Sequence, residues 1–271
     1  MLVIIFFIFF IYIYKEINSL KTTYYIIKSD KIPSSFKGFK ILQISDLHNK
    51  SFGENNKKLM KIIFDENPDI VVITGDIINR RYYDDKAVID FVKSITLKHI
   101  VYYITGNHEV WSNKYHELEP KLIQAGVKVL HNEHIKIHKE SEFIYLIGID
   151  DPGRGYYDNT EPKFTEKYLE RALKNVNDDG YKILLAHRPE YFSFYVKNDI
   201  DLVLSGHTHG GQIRLPFIGS IFVHHQPLFS KLSKGEFNKE NTKMIISGGL
   251  GTSRLPIRTF NIPEVVTITL S

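Results

Sequence analysis

Cysteine is absent from the 271 residues, so disulfides and thiolate zinc sites are excluded outright. The absence does not choose a compartment. Also missing is any basic run interleaved with aromatic residues. Net charge is only +4, and Lys and Arg are scattered along the chain, so nucleic acid is not expected as a partner. No internal repeat, low-complexity block or linker divides residues 22–271, and no protein partner is evident from the sequence. What is present is a core-sized apolar fraction, 43%, with an ordinary charged fraction of 24%; both suit a layered α/β domain.

The N-terminus differs from the rest. Residues 1–14, MLVIIFFIFFIYIY, are uniformly apolar and are followed by Lys15 and Glu16. Fourteen helical residues reach roughly 21 Å, against a hydrocarbon core of roughly 30 Å. Neither the basic flank nor the small-residue cleavage site of a signal peptide is visible. The expectation is therefore an uncleaved, single-pass anchor over residues 1–20 in the cell membrane, with the remaining residues 21–271 as one domain. Lys15, Lys21, Lys28 and Lys31 nominally favour a cytoplasmic body, but the membrane face stays open.

Beyond the anchor, apolar runs alternate with helical spacing. The pattern predicts strands over 22–29, 39–45, 69–75, 99–106, 182–187 and 201–206. Helices are predicted over 54–68, 84–97, 113–124 and 164–174. This β-α-β-α-β rhythm argues for a sheet with parallel strands and right-handed crossovers. The stretch VLHNEHIKIH reads as short strands with a hairpin turn at Asn132-Glu133 and surface histidines at 131, 134 and 138.

Ligand-type residues recur where each apolar strand gives way to a loop. Asp46 and His48 follow the run FKILQIS, and Asp76 follows DIVVITG. Asn107, His108 and Glu109 follow HIVYYITG, His187 follows KILLA, and His207 and His209 follow DLVLSG. A single Asp after a strand is ordinarily a turn or cap residue. Five such segments, all offering oxygen or imidazole and none a thioether, point to one rim at the carboxyl ends of the strands. The donors exceed what one tetrahedral ion takes. Two divalent ions use them all, and mixed nitrogen–oxygen ligation suits manganese, iron or zinc better than calcium. Such a pair clamps an in-line displacement and lowers the pKa of a bridging water far enough to supply hydroxide.

These blocks, in this order and spacing, resemble the calcineurin-like metallophosphoesterases. The strings GHTHGGQIRLP, GIDDP and GLGTSRLPIRTFNIPEVVTITL resemble the membrane-tethered bacterial subgroup of that family. The resemblance implies a four-layer α/β/β/α sandwich of two mixed sheets flanked by helices. It implies Asp46, His48 and His209 on a first metal, Asn107, His187 and His207 on a second, and Asp76 bridging them. It also implies that His108 faces the scissile phosphate, either protonating the leaving oxygen or stabilising charge there. One departure stands out. Some relatives orient that histidine with an aspartate three residues after the bridging one, where this chain has Asn79. The Asn79 amide oxygen could still accept from the imidazole N–H, and Arg80 matches a phosphate-binding arginine of some relatives, so Arg80 and Asn79 are the expected substrate-binding residues.

Together these imply a binuclear, membrane-anchored phosphodiesterase. The alternatives are a pyrophosphatase acting on a lipid-linked sugar nucleotide of the UDP-2,3-diacylglucosamine type, and a fold without chemistry, which would be expected to have lost ligands. The pair His224-His225 is a further candidate for substrate contact, and Gly248-Gly249-Leu250-Gly251 reads as a turn between strands.

Overall fold

A computed structural model describes residues 2–153, 160–177, 179–221, 231–252 and 256–271. Two six-stranded sheets form the centre. The first contains β1 (Lys21–Ile27), β2 (Lys40–Ile44), β3 (Ile70–Thr74), β4 (Ile100–Ile104), β5 (Lys128–Val129) and β14 (Glu264–Leu270), in the order β1-β14-β2-β3-β4-β5. β2, β3, β4 and β5 run parallel, and β14 is antiparallel to β2. The second contains β6 (Glu133–Lys139), β7 (Glu142–Gly148), β8 (Lys182–Leu185), β9 (Leu202–Ser205), β12 (Gly235–Lys239) and β13 (Thr242–Ile246), in the order β12-β13-β9-β8-β7-β6. Its four inner strands are parallel and its two edge strands antiparallel.

Strand periodicity decides what each residue packs against, since neighbours point to opposite faces. Ile41, Val72, Ile104, Ile183, Leu204 and Ile245 meet between the two sheets in one buried cluster. Their neighbours Leu42, Ile73 and Tyr103 turn outward onto α2 (Lys57–Glu66), α3 (Lys86–Thr96) and α5 (Tyr115–Gln124). On the other side Leu184, Val203 and Met244 pack on α6 (Glu161–Ala172) and α7 (Phe192–Lys197). Strands buried on both faces read as continuous apolar runs, which is why they stood out in the sequence. The result is the helix–sheet–sheet–helix layering that was expected.

One expectation fails, and one is met only in part. Asn132-Glu133 is not a hairpin turn: the β6–β7 hairpin turns at Glu140-Ser141, and residues 130–132 carry the chain from the first sheet to the second. The N-terminal segment does form a helix, α1 (Leu2–Asn18). However, no helix among the described residues is long and apolar enough to cross a membrane. The 17 residues of α1 rise about 26 Å at about 1.5 Å each, short of the roughly 30 Å of hydrocarbon. The foot of α1 instead docks on the protein. Ile13 is buried, the Asn261 N–H donates to Glu16 Oε2 at 3.0 Å, and Lys50 Nζ caps the Ile17 carbonyl.

Candidate metal centre

All seven predicted ligands lie at one rim, where β2, β3, β4, β8 and β9 end, and all are buried. Asp46, His48, Asp76 and His209 bring four ligand atoms within 4.8 Å of one another. His48 Nε2 stands 3.0 Å from His209 Nε2 and 3.6 Å from Asp76 Oδ2. The same Asp76 oxygen also meets a second group. His187 Nε2 lies 3.4 Å from it, 3.2 Å from Asn107 Oδ1 and 3.3 Å from His207 Nδ1. Asp76 Oδ2 thus lies near both His48 and His187.

Fixed partners aim these groups. The His48 Nδ1–H donates to the Ile78 carbonyl at 3.2 Å and the His187 Nδ1–H to the Thr74 carbonyl at 2.7 Å. Each bond sets the tautomer and turns the Nε2 lone pair inward. Asp76 Oδ1 accepts the backbone N–H of His108 at 2.7 Å, which leaves Oδ2 for the centre. Asp46 Oδ2 accepts from the Ser45 hydroxyl at 2.6 Å, and both its oxygens accept the His207 N–H at 3.1 Å.

The backbone bears a load to achieve this. Asp46, His48, Asp76, His207 and His209 all sit at positive φ, between 51° and 71°, a region that costs non-glycine residues of order 1–3 kcal/mol and clusters at functional sites. Two glycines allow the close approach. A Cβ on Gly206 would fall 1.9 Å from Ser45 Oγ, and one on Gly106 would fall 2.3 Å from Asp76 Oδ1.

The electrostatics call for a cation. Burial, together with the nearby His108 ring, pushes His48 down to about 4, so it is a neutral donor. Burial also disfavours charge on His187, yet the Asp76 carboxylate beside it wins and holds the ring up to about 10. The carboxylates thus attract positive charge to the centre. Two carboxylates, four imidazoles and one amide, with no sulfur, fit borderline divalent ions such as manganese, iron or zinc.

The remaining predicted residues sit beside this centre. The His108 ring packs edge-on against His48, with centroids 4.3 Å apart. Asn79 does not orient it. The Asn79 side chain accepts the Arg81 N–H at 2.9 Å, and it is the Arg80 backbone N–H that donates to His108 Nδ1, at 3.3 Å. The Arg80 guanidinium lies over the Trp111 ring, 4.7 Å from its centroid. His224 and His225 lie outside the described residues.

Several further residues support the centre without a role having been expected of them. Glu109 is fully buried and accepts three backbone N–H groups, from Asp76 and Gly106 at 2.7 Å and from Ile78 at 3.1 Å. It ties the β3 loop to α4 (Asn107–Trp111). Arg188, also fully buried, is gripped by Asp151, with Nε to Oδ2 at 2.8 Å and Nη2 to Oδ1 at 3.2 Å. That pair fixes the loop carrying His187. Asn261 Nδ2 donates to the His209 carbonyl at 2.7 Å. Two short-range signals were available: Glu109 follows the Asn-His pair directly, and Asp151 lies in the GIDDP string.

Residues 39–211 match the calcineurin-like phosphoesterase family. The chain belongs to that family. It is 32% identical over 263 residues to the uncharacterized metallophosphoesterase YkuE of Bacillus subtilis, covering 95% of this chain and 87% of that one. An uncharacterized metallophosphoesterase of Aquifex aeolicus is 30% identical over 268 residues, covering 96% and 95%. A Danio rerio transmembrane protein with a metallophosphoesterase domain is 29% identical over 256 residues, and the chain spans only 55% of its length. Among solved structures, TT1561 of Thermus thermophilus aligns with a TM-score of 0.51 at 14% identity, over 78% of this chain and 89% of that one; this likeness concerns the fold alone. The protein is a metallophosphoesterase with a metal-binding site of aspartate and histidine residues.

Proposed function

We propose that the metallophosphoesterase centre is binuclear and cleaves phosphodiesters. The observation that carries this reading is Asp76, whose Oδ2 lies 3.6 Å from His48 Nε2 and 3.4 Å from His187 Nε2. Asp46, His48 and His209 would hold one ion and Asn107, His187 and His207 the other, in the manganese, iron or zinc class, with Asp76 shared. Ions bound there supply Lewis acidity and lower the pKa of water toward neutrality.

The protein's own groups supply orientation and charge. Because His108 Nδ1 accepts the Arg80 N–H, the ring proton resides on Nε2. A second proton on Nδ1 would face that N–H, and burial and then Arg80 oppose it despite the pull of Asp76. His108 therefore acts as a neutral hydrogen-bond donor to the leaving oxygen, stabilising charge without giving up a proton. Arg80, seated on Trp111, is placed to pair with a phosphoryl oxygen, while Asn79 serves only to shape its turn. Residues 1–20 attach the protein to a membrane, for which the exposed apolar side chains of α1 are the support. The same apolar surface favours, as a second reading, a lipid-linked pyrophosphate such as a diacylated sugar nucleotide.

Metal analysis with parallel turnover on a model diester, a monoester and a lipid-linked sugar nucleotide tests this. Two ions per chain and preference for the diester are expected. Saturation at one ion would overturn the binuclear reading, and preference for the sugar nucleotide would replace the diester reading with the second.

A further inference from the structure

Over residues 3–11, α1 is exposed all round. Nine consecutive residues, Val3 to Ile11, are each between 42% and 81% exposed, and every one is apolar. A protein groove takes a helix by one stripe; a helix apolar on every face suits lipid. Along α1 the side chains then change to Tyr12 and Tyr14 and next to Lys15. Apolar, aromatic and basic is the order met on leaving hydrocarbon for headgroups. Tyr12 therefore marks the interfacial level.

A second element stands at that level. The Phe260 N–H donates to Tyr12 Oη at 2.9 Å, and the two rings are 5.8 Å apart. The adjoining Thr259 exchanges bonds with Arg214, whose N–H donates to the Thr259 carbonyl at 3.1 Å while the Thr259 hydroxyl donates back at 3.1 Å. Arg214 opens a hairpin of β10 (Arg214–Leu215) and β11 (Gly219–Ser220) whose tip is Pro216-Phe217-Ile218. Leu215, Phe217, Ile218 and Phe260 are all exposed, Phe217 fully. Both phenylalanines also adopt positive φ, 65° at Phe217 and 49° at Phe260. For a bulky side chain that conformation is a genuine outlier, and here both rings stand exposed, Phe260 touching only the Tyr12 ring of α1 among the aromatic contacts of the described residues. The hairpin lies against the metal centre: Arg214 Nη1 donates to the Gly210 carbonyl at 2.9 Å, next to His209.

We propose that the β10–β11 tip and Phe260 enter the same lipid surface as α1, so that the metal centre meets phosphoesters at the plane of a bilayer, with their alkyl parts still in lipid. This rests on the reading of α1 as the membrane attachment. It adds a second contact that fixes how the catalytic rim faces the membrane, and its substrate class is amphiphilic phosphoesters.

The lack of native cysteine allows single labels without background. Full-length Phe7→Cys, Phe217→Cys and Lys163→Cys, the last on the exposed side of α6, would each carry an environment-sensitive fluorophore. Each is then mixed with phosphatidylcholine–phosphatidylglycerol vesicles and challenged with iodide. The labels at 7 and 217 should shift to the blue and lose iodide quenching severalfold, whereas the label at 163 should not change. Protection at 7 without protection at 217 would overturn the proposal and leave the attachment intact. Protection at neither would remove both. Protection at 217 that appears without vesicles and grows with protein concentration would mean that the patch pairs with a second copy of the chain, which also overturns it. Phe217 is fully exposed, so its substitution does not threaten the fold.

Discussion

His48 and His131 both lie beside carboxylates, but the protein treats them in opposite ways. At His48 one ring nitrogen is spent on a carbonyl, and the other faces His209 and Asp76 across a gap. Burial keeps that ring neutral. At His131 both ring nitrogens meet carboxylates, Nδ1 at 3.0 Å from Asp150 Oδ1 and Nε2 at 2.7 Å from Glu119 Oε1. Those partners keep the ring charged, with its pKa raised to about 9. The metal-centre imidazole is a lone pair awaiting a cation, whereas the other is itself the cation. A histidine between acids is thus diagnosed by where its second nitrogen points, and the two regions can be pulled apart by substitution.

The largest effect should come from Asp76, the group proposed to bridge the two ions. Asp76→Ala should lose metal from both positions, seen by elemental analysis. Turnover should fall by at least about 10³-fold, since metal charge contributes several kcal/mol to such transition states and each 1.4 kcal/mol is tenfold. Retention of one ion at full occupancy would show that the carboxylate does not bridge.

Asp151 comes next. Asp151→Ala would leave buried Arg188 with Glu161 and Glu190 as its carboxylate partners among the described residues, at 3.2 and 3.4 Å. Breaking a buried pair in this way typically costs about 3 kcal/mol or more, so urea unfolding should show a loss of about that size. A loss below about 1 kcal/mol would mean that the two glutamates suffice, as for an ordinary exposed pair. His108→Asn should retain metal and fold while turnover falls roughly 10²-fold, the worth of one hydrogen-bond donor to developing charge. Because the ring gives up no proton, the loss should depend only weakly on the leaving group's pKa. A deficit that vanishes for nitrophenyl esters would instead make His108 a general acid.

How much of this could be read from the sequence varied with the physics of each element. Strands β2, β3, β4, β8 and β9 are covered on both faces, so their apolar runs and the ligands just past them stood out together. The expected ligands converged because strands of one direction deliver their ends to one edge. Asn132 misled, because an Asn beside a polar residue is ordinary turn chemistry. Here its amide instead clasps Asp150, donating to Oδ2 at 2.8 Å and accepting the Asp150 N–H at 2.9 Å. That contact, between residues 18 apart in sequence, extends the β6–β7 pairing beyond Glu133 and Gly148, and no local pattern encodes it. The same holds for Arg188 with Asp151, 37 residues apart, and for Asn261 under His209, 52 apart. The foot of α1 was hidden for a related reason: an all-apolar run says that a segment leaves water, not which of its ends the protein will hold.

The smallest effect separates the two histidine types by the sign of a pH dependence. An ordinary unfolded histidine titrates near about 6.5. In the folded protein the hydrogen bond and charge of Asp150, aided by Glu119 and opposed by burial, raise His131 to about 9. Its contribution to stability is therefore complete below about 6.5 and is lost as pH rises through about 9. The side chain is 36% exposed, so solvent screening leaves about 1 kcal/mol rather than the full linkage value. His131→Gln should consequently unfold more easily than the parent in urea at pH 6, with the gap shrinking across pH 7.5 and closing by about pH 10. His48 carries the opposite sign. With its pKa lowered to about 4, the metal-free protein should lose stability as pH falls from about 6.5 toward 4, where the unfolded chain binds the proton first. A gap for His131→Gln that stays constant from pH 6 to 10 would mean that the ring is held by shape alone, and the contrast between the two histidines would then rest on geometry without charge.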